Sequence, residues 1–173
     1  MKVGRTTLLA GIFVITVLAF LITVMAAAYI DVQGYLATDS KTYTANGPVS
    51  GKAIIVYSPG LSGQVEGAVN SVAAGLAEHG YEVIVAGVSS RQAQDLSGYD
   101  LVIIGSPNYG ARPTARVKEY IQNMPPCEEV AIGVLCTSAM VTTKGVDAMA
   151  KLVQDRNITV KATMTVSMTE SAG

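Results

Sequence analysis

From Leu8 to Ile30 the sequence reads LLAGIFVITVLAFLITVMAAAYI, a run without a charged residue. As a helix it would rise about 34 Å, enough to cross a bilayer core. From Asp31 to Gly51 the pattern turns polar and is broken by Gly34, Gly47 and Pro48, which reads as a linker. Strand-like and helix-like runs then alternate. KAIIVY (Lys52–Tyr57) predicts a first strand. Val65, Ala68, Val69, Val72, Ala73 and Leu76 recur at helical spacing, and Gly80 stops that helix. YEVIVAG (Tyr81–Gly87) predicts a second strand, and Arg91–Gly98 is short and poorly patterned. DLVIIGS is the third strand, Pro113–Asn123 a helix, EEVAIGVLC the fourth strand, Gly145–Arg156 a helix and ITVKATMTV (Ile158–Val166) the fifth strand.

Strands alternating with helices imply an α/β fold, a parallel sheet with helices on both faces. The first, third and fourth strands are continuous apolar runs, as expected of strands covered on both sides. The second and fifth alternate between apolar and polar positions, which suits edges with one wet face. The order 2-1-3-4-5 follows, a doubly wound five-stranded parallel sheet. Its ligand site lies beyond the C-terminal ends of the first, third and fourth strands. Three segments result: residues 1–30, a membrane anchor; 31–51, a linker; and 52–173, the α/β domain.

The apolar run has two rivals to an anchor: a buried helix of a soluble domain, and a cleaved signal peptide ending at Ala26–Ala28. It is longer than the about 7–15 apolar residues usual in such a peptide. Lys2 and Arg5 precede it, while Lys41, Asp31 and Asp39 follow, which places the N-terminus inside and the domain outside the cytoplasm. Without the first thirty residues the net charge is −3. No basic patch appears, which argues against a nucleic-acid partner. Cys127 and Cys136 bracket the fourth strand, about 30 Å apart if fully extended, too far for a disulfide. No Cys or His pair has metal-site spacing.

The segment YSPGLSGQVE (Tyr57–Glu66) joins the first strand to the first domain helix. It has no Lys for a triphosphate loop. AGVSS after the second strand lacks the acid of a dinucleotide site, and neither an acidic receiver cluster nor a Cys/Arg phosphatase loop is present. What remains is a hydroxyl-and-glycine turn opening a helix. There Ser58, Ser62 and the backbone N–H groups of Gly63, Gln64, Val65 and Glu66 can surround a phosphate.

At this point the chain resembles the flavodoxin family over about Lys52 to Val166. Ser62–Val65 (SGQV) is similar to the family's phosphate loop, roughly [ST]-x-[ST]-G-x-[ST]. GSPNYGARPTARVKEYI (Gly105–Ile121) is similar to the second flavin loop, and VLCTSAM (Val134–Met140) stands where the third belongs. The resemblance implies flavin mononucleotide (FMN) as cofactor. It implies stacking by Tyr109, and ring contacts from Asn108, Gly110, Thr137 and Ser138. It further implies that the Gly110 peptide turns to meet the flavin N5. Two departures imply weaker binding: Val65 replaces a second hydroxyl, and the third loop has no aromatic. His79, opposite the loops, is a surface residue, and Cys136 a core one.

The reading that follows is a membrane-anchored flavodoxin-like electron carrier. It would work with redox partner proteins and without nucleophile, acid–base catalyst or metal of its own. Two alternatives stand beside it: an FMN-dependent quinone or porphyrinogen oxidoreductase, and a degenerate interaction module without flavin. Flavodoxins place a final helix after the fifth strand. The seven residues after Val166 are too short for it, which leaves one face of the sheet to be covered by a homodimer contact, a partner protein or the linker through Tyr35, Leu36 and Tyr43.

Overall fold

In the computed structural model, residues 4–127, 130–140 and 142–167 are described. Glu128 and Glu129 of the expected fourth strand, and the tail after Ser167, lie outside them. Helix α1 (Arg5–Leu36) is followed by β1 (Ser40–Tyr43), β2 (Gly51–Tyr57), α2 (Gln64–Glu78) and β3 (Tyr81–Gly87). A 3-10 turn at Gln92–Gln94 leads to β4 (Leu101–Pro107), α3 (Ala115–Asn123), β5 (Ala131–Ser138), α4 (Lys144–Gln154) and β6 (Val160–Ser167).

The six-stranded sheet has the order β1-β3-β2-β4-β5-β6. All pairs from β3 to β6 are parallel. The expected order of five parallel strands is therefore present. The strand expected at one edge, β3, is not an edge. Its outer side carries β1, paired antiparallel from Ser40 against Ala86 to Tyr43 against Val83. SKTY gives no burial signal, since its first three residues are exposed. Its place is set by backbone pairing and by the Tyr43 hydroxyl, which donates to Asn70 Oδ1 on α2 at 2.8 Å.

Two apolar layers flank the sheet. On one face Ile54, Val56, Val102, Ile104, Ile132 and Val134 pack under α3 and α4 through Val117, Ile121, Val146 and Met149. On the other, Ala53, Ile55, Val83, Val85 and Leu135 pack under Val65, Val69 and Ala73 of α2. Among the described residues α2 is the one domain helix on that face. Beside it a depression of about 130 Å³ is lined by Val72, Leu101, Ile103, Leu135, Ala162 and Met164.

The edge strand β6 departs from its sequence pattern. Val160 pairs with Ile132, but Ala162 pairs with Gly133, so an irregularity at Lys161 shifts the register. A shift of one residue exchanges the faces of all that follows. Met164 therefore sits beside Leu135 on the α2 side, and Thr165 beside Cys136 on the α4 side. The apolar row that alternation assigns to the core is left open, with Met164 46% and Val166 36% exposed. Of the row expected to face water, Thr159, Lys161 and Thr163 are exposed, and Thr165 is half-buried.

Helix α1 contains a segment, Leu8–Leu36, long and apolar enough to cross a membrane. Leu8 to Met25 are all exposed. The helix continues to Leu36, into the stretch expected to be linker, and its last turns meet the domain. Gly34 is buried there, because a Cβ in its place would lie 2.8 Å from Arg116 Cβ and 3.2 Å from Ser58 Oγ.

Candidate functional site

Three loops leave the C-terminal ends of β2, β4 and β5, at the switch point of the sheet. The first runs from Ser58 to Gly63. Gly63, at φ +68°, is the N-cap of α2 and offers no side chain to the helix. Ser62 is therefore not the cap; it and Gly63 are exposed. The first helical bond runs from Gly67 N–H to Gly63 C=O at 3.0 Å. Helix geometry leaves the N–H groups of Gln64, Val65 and Glu66 without intrahelical acceptors, at the positive end of the helix. The Glu66 carboxylate lies in the same turn and opposes a second negative charge there.

Two first-loop residues sit elsewhere than the sequence leads one to expect. Ser58 is fully buried beneath Gly34 of α1, and its hydroxyl has no hydrogen-bond partner. It is closed off from the exposed Ser62–Gly63 turn. The Val65 side chain is 1% exposed in the core under α2, so only its N–H belongs to the loop. A hydroxyl at that position would not reach the turn.

The second loop is held by Asn108 N–H donating to Thr137 C=O at 2.8 Å and Tyr109 N–H to Arg112 C=O at 3.1 Å. Gly110 (φ +61°) and Ala111 (φ +65°) form its two-residue tip. Tyr109 reaches across to the first loop, where its phenol oxygen accepts the Leu61 N–H at 3.0 Å. The Asn108 side chain turns inward, over Gly145 at the start of α4. Its amide nitrogen donates weakly to Ser138 Oγ at 3.4 Å, while its Oδ1 is buried without a partner. Thr137 and Ser138 are the last residues of β5 rather than loop residues, buried at 4% and 7% exposure, and Met140 in the third loop is 72% exposed.

Cys136 lies just below these loops, and burial pushes its thiol up to about 11. Burial, with Glu66 and Asp39 nearby, raises the Tyr57 phenol. Neither group is poised for chemistry near neutral pH. Among the described residues no cluster of His, Cys, Asp or Glu has metal-binding geometry. A larger open depression, about 580 Å³, lies at the opposite end of the strands by Cys127, Ile158 and Lys161. Its Arg156 is committed to the Ile121 and Met124 carbonyls, at 2.8 and 2.9 Å.

No family model matches the chain, and neither does any curated protein sequence. Solved structures do match. The flavodiiron core of Flv1 from Synechocystis sp. PCC6803 aligns with a TM-score of 0.55 at 15% identity, over 68% of this chain and 30% of that one. Rubredoxin oxygen:oxidoreductase from Desulfovibrio gigas gives 0.55 at 17% identity, over 70% and 31%. Two-electron reduced flavodoxin from Megasphaera elsdenii gives 0.53 at 19% identity, over 66% and 85%. The fold is flavodoxin-like. The chain spans under a third of the first two relatives and most of the third.

The sequence reading missed the bond by which Tyr109 closes the second loop on the first and the roof that α1 puts on Ser58. The second had one signal, a glycine at position 34 inside an otherwise helical run.

Proposed function

We propose that the protein is a membrane-anchored flavodoxin-like carrier that holds FMN at the three loops and passes electrons to redox partner proteins. The observation that carries this is the buried, unpartnered Oδ1 of Asn108, at the meeting of the second and third loops. A buried acceptor without a donor costs about 1–3 kcal/mol. A flavin ring, which has an N–H edge, would supply that donor once the Asn108 side chain swings out from over Gly145 toward the loops. The phosphate would lie at the exposed Ser62–Gly63 turn, on the N–H groups that open α2. The Tyr109 ring would cover the flavin after releasing Leu61. Bound FMN would supply one- and two-electron chemistry, and the protein would tune it through these contacts and a negative domain.

A flavin-dependent quinone or porphyrinogen oxidoreductase is a second reading, favoured by α1 docking beside the loops. It requires turnover with such a substrate, where a carrier exchanges electrons with proteins alone. We further propose one span with the N-terminus inside, from Lys2 and Arg5, and a second copy of the chain over the open face by Met164.

The deciding experiment is titration of the purified full chain with FMN and riboflavin, followed by flavin fluorescence. Saturable binding that favours FMN is the expected result. No binding of either would leave the interaction-module reading.

A further inference from the structure

The end of the domain that carries the loops is also the end at which α1 joins it. Ser89 Oγ donates to the Gly34 carbonyl at 2.9 Å, and Arg116 Nε donates to Ser89 Oγ at 3.0 Å. The Arg116 guanidinium lies 4.9 Å from the centre of the Tyr35 ring and pairs with Glu119 at 2.9 Å. The Tyr35 hydroxyl donates to Glu119 at 3.3 Å. Ser58 and Ser89 follow the ends of β2 and β3, and Arg116 lies in the first turn of α3. The attachment therefore spans two strand ends and the start of a helix rather than hanging on a free tether.

Spacing along α1 sets the height of this end above a bilayer. The uncharged run ends at Ile30, and Gly34 stands about 6 Å further along the helix axis. Each headgroup layer is about 5–8 Å deep. The contact at Gly34 thus falls at the outer edge of that layer. Outside α1, the exposed large apolar side chains among the described residues are Val49, Leu61, Tyr109, Met140, Met164 and Val166. Leu61, Tyr109 and Met140 head the first, second and third loops, one on each.

We propose that the loop end rests on the membrane surface, with Leu61, Tyr109 and Met140 dipping into the headgroup layer. The site then opens toward the bilayer and not toward bulk water. This rests on α1 spanning a membrane. Charge does not drive the contact: Arg91, Arg112, Arg116 and Lys144 share this end with Asp31, Asp39, Glu66 and Glu119, so the two signs balance. Apolar tips and the fixed helix do, so anionic lipid is not required.

The test uses the full chain in zwitterionic vesicles carrying a quencher either near the headgroups, which reads positions 61, 79 and 140, or midway along the acyl chains, which reads position 20, about 15 Å from Ile30 along α1. Single cysteines at Leu61, Met140, His79 and Phe20 are labelled with a fluorophore; native Cys127 and Cys136 are buried. Labels at positions 61 and 140 should be quenched several-fold more than the label at 79, and equally with anionic lipid added. Adding Gly34→Leu, which forces α1 off Arg116, should abolish that difference and leave position 20 quenched. Quenching at 20 but not at 61 or 140 would overturn the proposal and leave the anchor standing. No quenching at 20 would overturn both.

Discussion

The Tyr109 phenol oxygen accepts the Leu61 N–H at 3.0 Å, joining the tip of the second loop to the first. The bond closes the gap that a flavin would have to enter, so opening it opposes binding. A neutral hydrogen bond contributes about 0.5–1.5 kcal/mol net. Tyr109→Phe keeps the ring and removes the clamp, and should bind FMN about 2- to 10-fold more tightly. Tyr109→Ala loses the ring as well and should bind more weakly than Phe. Equal affinity of the two variants, measured by fluorescence titration, would show that the ring does not touch the flavin.

Glu66 sits in the first turn of α2, where the helix end favours an anion. Its carboxylate opposes a phosphate bound there. Glu66→Gln should strengthen FMN binding by up to about fivefold at low salt, in line with an exposed charge contribution of about 1 kcal/mol or less. The gain should shrink as salt rises, and riboflavin should show none. A gain shared by both ligands would place the phosphate elsewhere.

The Ser58 hydroxyl is fully buried under Gly34 and has no partner. Removing an unsatisfied buried hydroxyl relieves a desolvation cost of about 1–3 kcal/mol, partly offset by a small void. Ser58→Ala should therefore raise the unfolding midpoint and leave FMN affinity unchanged. A fall in affinity for FMN but not riboflavin would return Ser58 to the phosphate.

The order of the parallel strands was legible because β2, β4 and β5 are apolar on both faces while β6 alternates. The three loops were legible by their place at strand ends. What escaped is non-local. The β1 strand is a mostly exposed SKTY held by pairing rather than burial. The irregularity at Lys161 exchanges the faces of β6 with no glycine or proline to mark it. Ser58 resembles a loop hydroxyl until a helix from before the domain covers it. The Tyr109–Leu61 bond joins residues from two loops, which no spacing within either one encodes.

Cys136 titrates at about 11 because burial disfavours its thiolate. Unfolded, it would titrate near 8.5. The folded value is the higher one, so the unfolded chain releases this proton first as pH rises. The thiol's contribution is fully present below about 8.5 and is lost progressively up to about 11. Burial raises the Cys127 thiol and the Tyr57, Tyr99 and Tyr120 hydroxyls too, which extends the same trend to higher pH. Urea midpoints should fall from pH 8.5 to 11, and less steeply in Cys136→Ala. Native protein at pH 8 should resist thiol labelling at this position until unfolded. Rapid native labelling of Cys136 would contradict the burial.

Met164 and Val166 stand open beside the depression that Leu101, Ile103 and Leu135 line under α2. The reversal at Lys161 puts them there. Several neighbouring apolar side chains on one sheet face favour association, and two identical patches can pair about a two-fold axis. In the full chain, solubilised in detergent, Met164→Cys should form an intermolecular disulfide on mild oxidation, while His79→Cys at the far end of α2 should not. Met164→Lys should lower the measured mass from dimer toward monomer, because it would bury a charge at the contact. A wild-type chain that is monomeric by light scattering, with no cross-link through position 164, would leave the face to some other cover.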